Sequence, residues 1–430
     1  MAQLLLQLPP EVWHHVFGYL SATEKFRVRA SCRYFRKLID RSSLWKNWTV
    51  VLNFRSGPYN SQFWATLRRR KVRSAVLKPT RTTDLKQLAQ SLPDLSSVVF
   101  EAPSSLDSLK NFPGLKRLSV RGYHRVPLLL DVFTVSQPQL LTHLSICDVK
   151  LNAAAVDDVI FTLKQFTSLK SLVCHHLGIF RDTMLTIHSL LHSLPELEHL
   201  SLSVVTREST DDMIPTAKTR DLGQAHGLSS LEFIDCVDHS LPEDVMQLVP
   251  GLRSLAILYK HSHREILERW PSPACHLKTW LRDLPQLSSL SVVHSPPVGN
   301  YVTCMPATIR SFTLCVEELS VHEMEAVSVQ LPNLIHLHVD NWPSQLDAHT
   351  AHIPQLFPKL QSLKVRHKHV SVTDFLQLHQ LQDLKYLVVL DNGPYFSALT
   401  RKLQVLTNYR LQTSLHQRDL LSCDCVGRVY

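Results

Sequence analysis

Chemistry in a sequence starts from side chains that can offer a lone pair, and histidine is abundant here, with 24 in 430 residues. Three pairs sit two residues apart: His261 with His263, His336 with His338, and His367 with His369. Side chains two apart on a strand share a face, so His336 and His338 present two imidazoles to one side, which is half of a metal site. The spacing goes no further. No cysteine or carboxylate framework surrounds the pairs at ligand intervals, and a structural zinc ion takes four ligands. Cys423-Asp424-Cys425, near the end of the sequence, reads as a tail. There is no glycine-rich phosphate loop, no nucleophile elbow and no HExxH helix, and only 11 glycines to build a phosphate cradle. The sequence points to no catalytic residue, no metal and no cofactor. It favours a binding protein over an enzyme.

The element that carries His336 and His338 is one of many copies. "LPNLIHLHV" (331–339) recurs as "LPDLSSVVF" (92–100), "FPGLKRLSV" (112–120), "LPELEHLSL" (194–202), "VPGLRSLAI" (249–257), "LPQLSSLSV" (284–292) and "FPKLQSLKV" (357–365). Weaker copies start at Val72, Leu141, Leu169, Leu231, Ile309 and Leu384. From Val72 to Leu384 the intervals average about 26 residues, within the leucine-rich-repeat range. Counting the first apolar residue as 0, the residues at +3 and +5 alternate as a half-buried strand requires. Helical patterns precede most copies, among them "SQFWATLRRRK", "LKQLAQSL", "MLTIHSLLHSL", "HLKTWLRDL" and "VHEMEAVSVQL". A proline ends each helix and holds its predecessor extended. One helix and one strand cannot bury their own apolar faces, so the copies must stack around a continuous core.

These copies resemble the leucine-rich repeats of ribonuclease-inhibitor and F-box proteins. The resemblance implies an α/β solenoid of about 13 units, with stacked strands lining a concave face. The usual Asn or Cys at +8 is nearly absent, and unit lengths vary, so an irregular horseshoe is expected, with loops at 203–226 and 258–275. The +2, +4 and +6 side chains then face outward from the core. Early units present Arg117 and Arg121. The middle is hydroxyl-rich, with Phe233 and Asp235 read as part of that face. The late units present His336, His338, Lys364, Arg366 and Tyr386. Arg and aromatic groups usually dominate an interface, so these two ends are the expected cargo sites, suited to an acidic or phosphorylated segment.

Residues 8–48 read "LPPEVWHHVFGYLSATEKFRVRASCRYFRKLIDRSSLWKNW". The pattern predicts three short helices, the first with Pro10 and Glu11 in its first turn. Ser21 or Thr23 is expected to cap the second and Ser31 the third. Some forty residues this apolar are too few to bury themselves. The stretch resembles an F-box, which implies docking onto Skp1 and, through it, a cullin and a RING subunit. The family's contact positions fall on Leu8, Pro9, Glu11, Val16, Leu20, Cys32, Leu44 and Trp45. Phe17, Phe35 and Leu38 are expected to pack internally.

The expected organisation is an F-box at 1–48, a solenoid at 49–400 with "TVVLNF" (49–54) starting its strands, and a closing segment at 401–430. Together the two resemblances imply the substrate-recognition subunit of an SCF-type ubiquitin ligase. An inhibitor-like repeat scaffold is the alternative. Formal charge is +9, which permits a nucleic-acid or acidic-protein partner without demanding one. "RRRKVR" (68–73) lies on a helix without interleaved aromatics, so a solvated helical face is expected there. No apolar run reaches membrane-spanning length, and the first ten residues do not make a signal peptide. Nine scattered cysteines fit reduced thiols in the cytoplasm or nucleus.

Overall fold

The computed structural model describes residues 8–46, 48–56, 59–78, 81–101, 107–122, 137–149, 161–176, 183–204, 227–236, 241, 243–259, 275–341, 349–367, 370–390 and 394–415. Two compact units divide them, one within residues 1–171 and one within 172–423.

The first unit opens with helices α1 (Pro10–Gly18), α2 (Ala22–Ser31) and α3 (Arg33–Ile39) and a 3-10 turn at Ser42–Trp45. Pro10 occupies the first turn of α1, where a missing N–H costs nothing. Ser21 caps α2 in a reciprocal capping box with Glu24. The cap of α3 is Cys32 rather than Ser31: its Sγ accepts the Phe35 N–H, while the Ser31 hydroxyl turns back to the Val28 carbonyl. Phe17, Leu38, Ile39, Leu44 and Trp45 form a small core, flanked by Trp13, Leu20, Val28 and Phe35.

Strand β1 (Thr49–Leu52) follows, then α4 (Ser61–Arg69), β2 (Ser74–Leu77), α5 (Thr82–Ser91), β3 (Ser97–Glu101), β4 (Arg117–Arg121) and β5 (His143–Cys147). β1 to β5 pair in parallel, each with its chain neighbour, so that Ser74, Ser97, Arg117 and His143 are opposite one another. The +3 and +5 side chains, Leu118 and Val120 in β4, are buried.

The second unit repeats the scheme. β6 (Ser171–His175) spans the division, followed by α6 (Thr183–Ser193), β7 (His199–Ser203), β8 (Ser230–Cys236), β9 (Ser254–Tyr259), α7 (Leu277–Arg282), β10 (Ser289–Val293), β11 (Ser311–Val316), α8 (Val321–Gln330) and β12 (His336–Asn341). Next come α9 (Ile353–Leu356), β13 (Ser362–Val365), α10 (Val372–Leu376), β14 (Tyr386–Val389), α11 (Pro394–Leu406) and β15 (Gln412–Leu415). β7 to β15 again pair in parallel in chain order. The fold is thus helical at its start and then a parallel-sheet, many-helix arrangement of the leucine-rich-repeat type.

The prolines sit where the phrase requires. In Leu331-Pro332-Asn333-Leu334 the Leu334 N–H returns to the Leu331 carbonyl at 3.2 Å, a tight turn with proline at its second position. The same bond recurs at Leu95, Leu115, Leu197, Leu252, Leu287, Leu360 and Leu384.

Two expectations change. The copy at 228–236 is in a different register: Leu231 pairs with Leu200 and Phe233 with Leu202. The repeat's first residue there is Leu228, so Phe233 is in the core, and Ser230 and Glu232 take the outward positions instead of Phe233 and Asp235. The turn after the strand is also closed one place earlier than +8. Asp148, His176, Asp235 and His294 all adopt left-handed backbone at +7. Buried Asn341, also at +7, directs its amide nitrogen to the Glu317 and Val316 carbonyls at 2.8 and 3.1 Å. Most of each predicted loop, residues 205–226 and 260–274, lies outside the described residues.

Candidate docking surfaces

The first surface is on α1. Val12, Val16 and the cap residue Tyr19 follow helical spacing, so they share one side; Leu8 precedes the helix, and all four are exposed, Val16 at 42 % and Tyr19 at 78 %. Pro9 and Glu11 are exposed beside them. The opposite side of α1 sends Phe17 into the core, where it meets Trp13 and Phe35 at ring-centroid distances of 5.5 and 5.3 Å. The expected contact residues therefore separate. Leu8, Pro9, Glu11 and Val16 are available, Leu20 is half-buried against the core, and Cys32 is a helix cap. Leu44 and Trp45 are interior. Trp45 is 0 % exposed and donates its indole N–H to the Ile39 carbonyl, so it lies beneath the surface and not on it.

Trp45 is also covered by a cation. The Arg70 guanidinium lies 4.0 Å from the centre of its ring and 2.9 Å from the Asp40 carboxylate. Arg29 contacts the same carboxylate at 2.8 Å and Arg69 at 3.4 Å. Burial pushes the Asp40 carboxyl up, but the hydrogen bonds from Arg29 and Arg70 outweigh it and hold the group below its ordinary range. Arg68 Nε donates to the Ser91 carbonyl at the end of α5 at 2.6 Å, where a cation meets the negative helix end. Of "RRRKVR", Arg68, Arg69, Lys71 and Arg73 are exposed, as the expected solvated face requires, and Arg70 alone among its cations is turned inward.

The second surface is the sheet face opposite the core. In the first unit Arg117 and Arg121 are exposed on β4, with Arg121 3.5 Å from Asp148. In the second unit, register sets the neighbours. His336 pairs with Ser362 and Ser311, Ser362 with Tyr386, and His338 with Thr313 and Lys364. His336 and Tyr386 are exposed, and Lys364 is half-buried. Arg366 is tied to Asp340 at 2.7 Å. His338 differs from the expectation of an outward-reaching group: it is only 9 % exposed, and its Nε2 has no hydrogen-bond partner. Burial, reinforced by Lys364 and Arg366, lowers its pKa to about 3.

Around His338 the fold collects what the linear spacing did not show. Cys315, opposite Asp340 in register, joins His338 and Asp340 in a buried cluster whose donor atoms lie within 4.8 Å of one another. Among the described residues it is the one such group of three. Burial, with Asp340 adding to it, raises the Cys315 thiol pKa. Farther along the same face, Ser201 Oγ donates to Glu232 and lies 2.6 Å from His175 Nε2. That chain puts serine between the other two, so the imidazole does not bridge hydroxyl and carboxylate as a hydrolase triad requires. His261, His263, His369, Cys423 and Cys425 lie outside the described residues.

Residues 5–49 match the F-box-like family. No curated protein sequence matches the chain. Among solved structures it is similar to a TLR13–ssRNA13 complex, at 14% identity over 81% of this chain and 55% of that one, with a TM-score of 0.39. The chain thus spans about half of that molecule's length. It is also similar to the leucine-rich repeat-containing protein LegL7 from Legionella pneumophila, at 10% identity over 67% of this chain and 89% of that one, TM-score 0.39. The class defined by family match and fold together is an F-box-like domain followed by leucine-rich-repeat-type coils, a protein-interaction architecture.

Proposed function

We propose that this chain is the substrate-recognition subunit of an SCF-type E3 ubiquitin ligase. Residues 1–48 dock on Skp1 and residues 49–400 select the protein to be ubiquitinated, with residues 401–430 as a cap or tail. The observation that carries the reading is the exposed apolar row Leu8, Val12, Val16 and Tyr19 on the segment that matches the F-box-like family. An unpartnered row of this kind is an interaction site, and burying the remaining exposed area of each of Leu8, Val12 and Val16 contributes about 1 kcal/mol. The protein makes and breaks no bond. It raises the effective concentration of cargo beside a separate RING and E2 module.

Cargo engages the outward sheet face, at Arg117 and Arg121 or at the group of His336, Lys364 and Tyr386, with His338 and Arg366 beneath it. An acidic or phosphorylated segment suits these groups. None of the seven cysteines among the described residues is disulfide-bonded, which supports a cytoplasmic or nuclear location. Among the described residues no helix is long and apolar enough to cross a membrane.

Binding of the full chain to purified Skp1, measured by calorimetry, tests the proposal. Wild type binds, and Val12→Asp with Val16→Asp weakens binding about a hundredfold or more while leaving the melting temperature unchanged, since both side chains are solvent-facing. A wild type that does not bind Skp1 overturns the ligase reading and favours the repeat scaffold.

A further inference from the structure

We propose that Cys315, His338 and Asp340 bind a single zinc ion on the outward face of the sheet. The first ground is the donor set. Thiolate, imidazole and carboxylate are the three side-chain ligands that zinc accepts, whereas calcium and magnesium take oxygen. The second is position. Cys315 is at +6 on β11, and His338 and Asp340 are at +4 and +6 on β12, so the pleat points all three to one side. The parallel register sets Cys315 directly opposite Asp340. Their donor atoms fall within 4.8 Å of one another. Tetrahedral zinc with ordinary bond lengths spaces its ligands about 3.5 Å apart, which small side-chain rotations reach.

The third ground is an unmet need. The large majority of buried side-chain polar atoms have a hydrogen-bond partner, yet His338 Nε2 is buried with none. A metal ion at the cluster gives that lone pair its acceptor. Binding moves the Cys315 proton to solvent, and the thiolate and carboxylate charges balance the ion. Arg366 holds Asp340 Oδ1 at 2.7 Å, leaving Oδ2 for the metal, in the supporting role that outer partners of ligating carboxylates play. Water fills the fourth position. The half-buried Lys364 ammonium, opposite His338 in register, opposes a dication and limits the affinity.

The site is independent of Skp1 docking and survives failure of that reading. The test uses the full chain, stripped with a chelator and titrated with Zn2+ alone by calorimetry, and with Co2+ as a spectroscopic probe. One equivalent of zinc is expected, a rise in melting temperature reversed by chelator, and a thiolate-to-cobalt charge-transfer band. Cys315→Ser abolishes the band, and His338→Gln removes the stoichiometric site; Asp340→Asn weakens it about tenfold or more. Cys304→Ser, outside the cluster, keeps all three signals. The proposal is overturned if wild type takes up no stoichiometric zinc, or if the cobalt band persists in Cys315→Ser. It is also overturned if zinc stabilises His338→Gln as much as wild type. Should a variant fail to fold, the wild-type cobalt spectrum decides, because a site without sulfur ligation shows no charge-transfer band.

Discussion

His367 shows how far burial alone can move a side chain. It is at +7 of its repeat, 1 % exposed, stacked 6.2 Å from Phe396 and set edge-on to Phe375, with its Nε2 2.9 Å from the Thr350 hydroxyl. Burial lowers its pKa to about 4, against about 6.5 in an unfolded chain. As pH falls the unfolded chain takes up the proton first, so the folded state is favoured in full above about pH 6.5. That advantage is lost progressively down to about pH 4. The difference corresponds to roughly 3 kcal/mol. Other groups titrate in the same window, so the measure is a comparison: urea unfolding at pH 7 and pH 4.5 for wild type and His367→Gln. Wild type is expected to lose about 2–3 kcal/mol more than the variant across that interval. Parallel losses would show that His367 charges without cost in the fold. Arg70 makes the complementary case at the same scale: a buried cation is tolerated because Asp40 and the Trp45 ring receive it, and removing only Asp40 would strand it.

At the scale of the element, the strands depend on turns that few residue types can make. Gly122 follows β4, donates its N–H to the Cys147 carbonyl at 2.8 Å, and faces the carbonyl oxygen of Asp148, itself left-handed at φ 55°. A Cβ at Gly122 would lie inside van der Waals contact with that backbone oxygen, which cannot swing away as a side chain can. Gly122→Ala is therefore expected to cost about 2 kcal/mol, whereas Gly114→Ala, whose new Cβ has nothing nearer than the Leu95 oxygen at 4.0 Å, leaves the melting temperature unchanged. Equal melting temperatures for the two variants would contradict this. The elements themselves were legible in the sequence, because apolar residues at +3 and +5 and a proline ahead of them leave one choice of inward face. At 228–236 that logic failed for a physical reason. Leu228, Leu231 and Phe233 fit the phrase, but so do Leu231, Ile234 and Cys236, and all five residues are buried because the strand shifts register between Phe233 and Cys236. The cluster at His338 was hidden differently. Cys315 is remote from His338 along the chain, and pairing of β11 with β12, not any linear interval, brings them together. The exposed row on α1 was half visible: the F-box resemblance implied Leu8 and Val16, but only packing shows Trp45 turned inward beneath Arg70.

For the whole molecule, what matters is that stability is assembled from neighbours. Within each described unit every strand pairs with the strands next to it in the chain. Such an array distributes its free energy over coils and the contacts between adjacent coils, not over one global core, and parts of it open without the rest. Leu255, on β9 between β8 and β10, is 0 % exposed. Leu255→Ala removes buried methyl groups and leaves a cavity, which costs about 3 kcal/mol. In hydrogen exchange the amides of β8, β9 and β10 should lose protection by about two orders of magnitude, in keeping with that cost. Residues 10–46 form a separate small core around Phe17, Ile39 and Trp45, and their amides should exchange as in wild type. Skp1 affinity, if the proposed docking holds, should stay within about twofold. A loss of protection at α1 to α3 equal to that at β9 would mean that the chain unfolds as one cooperative block, and a lesion in the repeats would then disable docking as well as cargo selection. The local outcome would separate the two proposed tasks: substitutions deep in the repeats would alter cargo selection, while the α1 face would keep its affinity for Skp1.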